Sequence, residues 1–465
     1  MGDLKRSLGF WSCLSISMGL VVASSTLVTL GQGMGIAGAG FIIAMGAAWL
    51  LQHFSAQSFA ELSCMMPHAG GLRSYTRVAL GAMPAMVATI TGYVIPNLFA
   101  CPAELAIAGN VISTTFLPAI SPTVIGGTLF LLLVISNVLG VDIFAKAQII
   151  FTVVMMSAIV ILSIIGLTGV ASPGNFDISE MPFNPMGVGV FSLTALAIWL
   201  YIGIEFVTPM AQEVKNPEKH IPKAMTIGLL IIFAVNILYG LTSLKFVDLD
   251  ILAGSMNPHI LVAEAVLGKP GLIIISIVSL FATASTVNTI IGVVPRMLYG
   301  MASHGELPKV FSKLHPKFRT PWISILLLST VIGAFFFGGI AQTTNITVFL
   351  LAAVTPWLLA YIIAHIDVIV LRIRYPHMTR SYKTPFFPIP QILGSLGMLF
   401  AVFNIFPDPE MKRQIFIISG TMLAITVIYS SVWVKFVMKD KLFKPADLEE
   451  SKKEWGLDAE VESYA

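Results

Sequence analysis

Long stretches without a single Asp, Glu, Lys or Arg dominate the chain: residues 7–60, 78–103, 105–141, 147–176, 181–204, 224–244, 270–295, 320–366, 384–407 and 414–434. Each is as long as, or longer than, the roughly 20 apolar residues that cross a bilayer as one α-helix. Divided at their Gly, Pro and Asn positions, the longer ones predict about 12 crossings in all. The expected fold is therefore all-α, a polytopic membrane protein.

The apolar pattern is broken twice inside a span. In residues 199–225, WLYIGIEFVTPMAQEVKNPEKHIPKAM, Gly203 frees the backbone, and Glu205 puts an ionisable group where hydrocarbon favours Leu or Val. The first span, about 10–32, carries Ala23-Ser24-Ser25-Thr26 at mid-depth, followed by Gly31, Gly33 and Gly35. Serines there either satisfy the peptide groups of a break or bond back to the preceding turn of an intact helix. Unpaired peptide groups are tolerated at membrane depth only against protein or a water-filled cavity, so the breaks imply a cavity. Each broken helix opens a run of five spans, and interruptions at matching places in two halves point to an inverted-repeat transporter with its site between them. The domain reading is a transporter domain over 1–439, with repeats at about 8–171 and 185–375, two added helices at about 386–436, and a charged tail over 440–465 that is expected to be loosely ordered.

Composition agrees: 56% of the 465 residues are hydrophobic and 11% charged, far from a soluble domain. With the amino terminus in the cytosol, all of the 27 Lys and Arg fall inside except Lys245, Lys269, Lys412 and Arg413. That asymmetry predicts two cytoplasmic termini and an even number of crossings in the cell membrane, and it leaves the net charge of +3 no nucleic-acid partner to explain. The first span is too long for a cleaved signal peptide and is expected to stay in the mature protein. Cys13, Cys64 and Cys101 show no paired spacing, so neither a disulfide nor a metal is expected.

Candidate chemistry lies in a few polar positions. Helix 3 concentrates Pro96, Asn97, Pro102 and Glu104. Freed carbonyls or Glu104 meet an ammonium group there, or the carboxylate reaches interfacial water. Helix 8 holds Thr283, Ser285, Thr286 and Asn288, which either coordinate an ion or water or serve as packing hydroxyls. His365 and Asp367, two apart, point to different faces and make a poor catalytic pair. No His-Glu-x-x-His, Gly-x-Ser-x-Gly or phosphate loop is present, which argues against an intramembrane enzyme. A receptor or channel would leave two broken helices unexplained.

Several motifs in order resemble the amino acid–polyamine–organocation transporters over residues 8–434: Ala60-Glu61-Leu62 with Pro67 and Ala69-Gly70-Gly71; Gly203-Ile204-Glu205; Glu213-Val214-Lys215-Asn216-Pro217 leading to Ile221-Pro222-Lys223-Ala224; Arg296-Met297-Leu298-Tyr299; and Leu371-Arg372 with Pro376, Arg380 and Lys383-Thr384-Pro385. The resemblance implies a LeuT-type fold of five plus five inverted spans with two further helices. It implies a substrate ammonium on the carbonyls of Val21, Trp199 and Ile202 beside Gly203, and a carboxylate on the amides and hydroxyls of Ser24 and Ser25. It also implies a closing role for the Trp199 ring, the alternative being an interfacial or packing tryptophan; Glu205, Glu104, Ser285 and Thr286, polar groups within spans, are the candidates for coupling or gating. Two departures stand out: Ala23-Ser24-Ser25 replaces the usual Gly-Ser-Gly, and Met155 stands where proton-coupled members carry a lysine. The expected activity is secondary transport of amino acids or related amines by exchange or proton linkage, without a cofactor, by a monomer or homodimer in the lipid bilayer. The alternative is a polyamine or biogenic-amine carrier.

Overall fold

A computed structural model describes residues 4–181, 183–255, 257–339, 346–378, 380–406 and 408–454. The first span is two helices, α1 (Phe10–Gly19) and α2 (Ser24–Ala37), followed by α3 (Phe41–Met65). A turn then carries α4 (Leu72–Ala79). The third span is α5 (Ala82–Thr89), a π-helical turn at Ile90–Val94 and α6 (Ile95–Thr115). Then come α7 (Pro122–Val138) and α8 (Val141–Thr168). The sixth span is a 3-10 turn at Gly187–Leu193, α9 (Thr194–Ile198), a non-helical stretch and a long 3-10 segment, Ile204–Glu213. The chain continues through α10 (Pro217–Phe246), the short α11 (Leu249–Gly254) and α12 (Pro258–Leu267), α13 (Lys269–Ser303), α14 (Trp322–Phe337), α15 (Ile346–Arg374), α16 (Ile389–Phe403), α17 (Pro409–Val432) and α18 (Leu448–Glu454).

Both interruptions have local causes. After Gly19 the segment Leu20-Val21-Val22-Ala23 leaves the helix, and Ala23 cannot cap α2. The Thr26 hydroxyl does so instead: it accepts the Ala23 N–H at 3.3 Å and donates to the Val21 carbonyl at 2.6 Å. The break thus lies just before Ser24 and Ser25, which form the first turn of α2, and is not centred on them as the hydroxyl pattern predicts. In the sixth span Gly203 holds φ +103°, a left-handed conformation that costs other residues dearly.

The core helix α13 runs against α8 and α6, α1 packs on α10 and α8, and α2 lies under α11. The faces of α16 and α17 expose Ile392, Leu396, Phe403, Ile417, Ile425 and Ile428, an apolar belt suited to lipid. Charged groups collect on one face of the bundle. Arg73 binds Glu306 at 2.6 and 2.7 Å, Arg296 clasps Glu213, and Arg372 binds Glu61 at 2.6 and 2.7 Å. Lys5 pairs with Asp142 on this face, and Leu8 bridges to Val214.

The carboxyl-terminal tail joins the same face. Asp440 pairs with Arg77 at 3.8 Å, Ala446 N–H donates to the Arg77 carbonyl at 3.1 Å, and Leu448 is buried. For residues 440–454 this differs from the expectation of a loosely ordered tail: Leu448 gives the charged segment an apolar anchor. Its last part, 455–465, lies outside the described residues.

Candidate functional site

The two breaks meet. A Cβ built on Gly203 would lie 2.1 Å from Leu20 Cδ2, so the backbone of one break rests on the side chain of the other. Beside them is a cavity with about 370 Å³ of empty space, lined by Leu20, Val21, Ser25, Glu104, Trp199 and Ile202 among others. Only about 30 Å³ of it admits the centre of a water molecule, room for about two waters. Half-buried Trp199 forms part of its wall.

Glu104, on α6, reaches across to the start of α2. Its Oε2 accepts the Ser24 N–H and its Oε1 the Ser25 N–H, both at 3.1 Å. The Thr283 hydroxyl donates to Oε2 at 3.2 Å, and the Ser24 hydroxyl donates to the Ser279 carbonyl at 3.2 Å. The amides expected to receive a substrate carboxylate are therefore occupied by a carboxylate of the protein, and Glu104 lies in the binding cavity itself.

The other candidates fall into two neighbouring networks. Glu205 is buried and does not line the cavity. It accepts from Trp357 Nε1 at 3.3 Å and from the Tyr361 hydroxyl at 3.0 Å, and that hydroxyl in turn accepts the Gly203 N–H at 3.2 Å. Beside it Tyr93, Phe206 and Trp357 pack against one another with ring centroids 5.6 to 5.7 Å apart. Glu205 thus ties the sixth-span break to α15. On the opposite side, Thr286 donates to the carbonyls of Gly19 and Leu20 at 3.3 and 3.5 Å, at the carboxyl end of α1. Ser285 accepts from Gln148 Nε2 at 2.7 Å. The Val21 carbonyl, assigned to the substrate, already takes the Thr26 hydroxyl.

Gln148 escapes the sequence reading. Its amide also reaches the Ser15 carbonyl at 3.3 Å and accepts from Asn288 at 2.8 Å, and Asn288 accepts from Asn137 at 2.8 Å. A Cβ on Gly19 would collide with Gln148 Nε2 at 1.8 Å. On α8, therefore, a neutral amide is wedged between α1 and α13, while Met155 is buried in the apolar core. An amide in the apolar part of the uncharged run 147–176 was the available signal. Trp357 and Tyr361, four apart and so on one helix face, were the signal for the Glu205 partners. As expected, His365 and Asp367 diverge: His365 sits between Ser55 and Ser58, whereas Asp367 accepts from Thr76 at 2.6 Å.

No group of His, Cys, Asp and Glu among the described residues could hold a metal. Two broken helices meeting at a cavity in a helical membrane protein define a transporter of the alternating-access kind. The chain belongs to the amino acid permease family, whose sequence model matches residues 8–433, and so to the amino acid–polyamine–organocation transporters. Among its relatives are the branched-chain amino acid permease BcaP of Bacillus subtilis (strain 168), 26% identical over 87% of this chain and 89% of that one, and the methylthioribose transporter of the same organism, 26% identical over 90% and 93%. The solved structure of Mhp1, a nucleobase-cation-symport-1 family transporter in a closed conformation, aligns with a TM-score of 0.57 at 17% identity over 97% of each chain. The fold is the LeuT type with its two inverted five-helix repeats, and the protein is a multi-pass membrane transporter and not an enzyme.

Proposed function

We propose that this chain exchanges one small amine-bearing solute, an amino acid or a related amine, for another across the cell membrane, with both termini in the cytoplasm. The observation that carries the reading is the juxtaposition of the two breaks at the cavity. The α1 break ends in carbonyls, a favourable place for a cation, and the indole of Trp199 stands over the same space. Val21, Ser25 and Ile202 line the space between the breaks, Gly203 sets the second break against Leu20, and Trp199 closes over the substrate. Glu205, Ser285 and Thr286 act one layer out, holding the broken ends to α15 and α13 so that occupancy of the cavity is felt by both helices.

Exchange is favoured over ion coupling by α8, where neutral Gln148 and apolar Met155 stand on the face turned to the core. Neither offers a charge that changes with a proton. The relatives' names run from branched-chain amino acids to methylthioribose, so family membership alone does not fix the substrate. The cytoplasmic orientation is supported by the gathering of Arg73, Arg296, Arg372 and Lys5 on one face.

The test is reconstitution in liposomes loaded with a mixture of unlabelled amino acids and amines, followed by uptake of a labelled one. Uptake should depend on internal solute. Robust accumulation in empty liposomes under a pH or sodium gradient would overturn obligatory exchange.

A further inference from the structure

We propose that the substrate of this site is an organic amine without a carboxylate, because the protein's own Glu104 holds the amides that would bind one. The inference rests on the transport reading above and narrows its substrate class.

The amino end of α2 is where an anionic substrate group would be expected: two free N–H groups and the positive end of a 14-residue helix face the gap between the breaks. Both N–H groups are spent on Glu104, one to each oxygen. The two amides donate to this carboxylate, one to each oxygen, and the Thr283 hydroxyl donates to Oε2, contacts that favour a negative charge on it. A substrate carboxylate would have to displace Glu104 and leave that charge buried without donors, or settle beside it with like charge against like. The cavity offers nothing to offset either outcome, since among the described residues no Lys, Arg or His lines it. An ammonium group meets the opposite situation. Glu104 presents a carboxylate, the Gly19 and Leu20 carbonyls end α1 beside Thr286, and Trp199 and Trp357 line the same cavity, where an indole attracts a cation. The rest of the lining, Leu20, Val21, Ala100, Ile202 and Ile290, is apolar and suits a short hydrocarbon body.

The experiment compares matched pairs that differ only by the carboxylate: isoamylamine with leucine, phenethylamine with phenylalanine, agmatine with arginine, ethanolamine with serine. Binding to the purified full-length protein is read by thermal shift and by tryptophan fluorescence, since two tryptophans line the cavity. In at least one pair the amine should bind about tenfold or more tighter than its amino acid. An amino acid that binds as tightly as its amine, or tighter, overturns this inference and leaves the transport reading standing. If no member of any pair binds to folded protein, the transport reading of the cavity fails as well. Glu104→Gln keeps the shape and removes the charge, so it should abolish the preference within the pair. An unchanged preference in a folded variant would overturn the assignment to Glu104, and the wild-type comparison decides the substrate class even if that variant does not fold.

Discussion

Replacing Gly203 by Ala should show how tightly the two breaks depend on each other. At φ +103° an L residue is strained by about 1–3 kcal/mol. The new methyl would also lie 2.1 Å from Leu20 Cδ2 and 3.1 Å from Leu20 Cβ and Cγ, an overpacking of a buried contact worth another ~1–3 kcal/mol. The single variant should therefore lose about 2–6 kcal/mol of stability, with a lowered melting temperature and impaired exchange in liposomes. Leu20→Ala alone should cost about 2–5 kcal/mol, as for other buried leucines. Combined, the two should be less than additive by about 1–3 kcal/mol, because removing the leucine side chain relieves the steric part and leaves the dihedral strain. Reversible unfolding in mixed micelles completes the double-mutant cycle. If Gly203→Ala unfolds and exchanges like wild type, the left-handed break is not required. Strict additivity would show that the breaks do not touch in the working protein.

Other expectations follow from the same geometry. Trp199→Ala should slow exchange at least several-fold with insertion and melting temperature little changed; wild-type exchange by a well-expressed variant would remove the indole from the closing step. Glu205→Ala should leave the Trp357 and Tyr361 donors unpaired in a buried place, at about 1–3 kcal/mol for each, whereas Glu205→Gln keeps an acceptor and should retain part of the exchange; equal rates and superimposable pH profiles in wild type and both variants would make Glu205 a bystander. Beside the Arg73–Glu306 pair, burial and then the nearby Arg73 guanidinium push the His304 imidazole down to about 3, so the stability it contributes is complete above about pH 6.5 and is lost as pH falls toward 3. His304→Gln should flatten the stability profile in that window, and an unaltered profile would locate the acid sensitivity elsewhere.

How far the sequence could be read follows from what constrains each feature. Hydrocarbon tolerates no charge without compensation, so uncharged runs such as 78–103 and 414–434 marked their crossings directly. Gly203 and Glu205 stood out for the same reason, since neither belongs in a plain apolar helix. The first break was placed a few residues late because its polar letters, Ser24 and Ser25, belong to the regular first turn of α2, while the irregular stretch is written in Leu20, Val21 and Val22, which look helical in an apolar span. What no local pattern could supply is pairing across the chain. Glu104 and the Ser24 amide are 80 positions apart, and Gln148 and Ser285 are 137 apart; each becomes a partner only after the helices pack. A lone carboxylate in a span has two outlets, an ammonium or water, when read in sequence. In the folded bundle it has a third, the amino end of another broken helix, and filling it changes what the cavity can accept. The substitution of Ala23-Ser24-Ser25 for a glycine-rich break and the presence of Glu104 then belong together. A backbone that need not let a foreign carboxylate approach closely can carry side chains there, provided a resident carboxylate satisfies its amides.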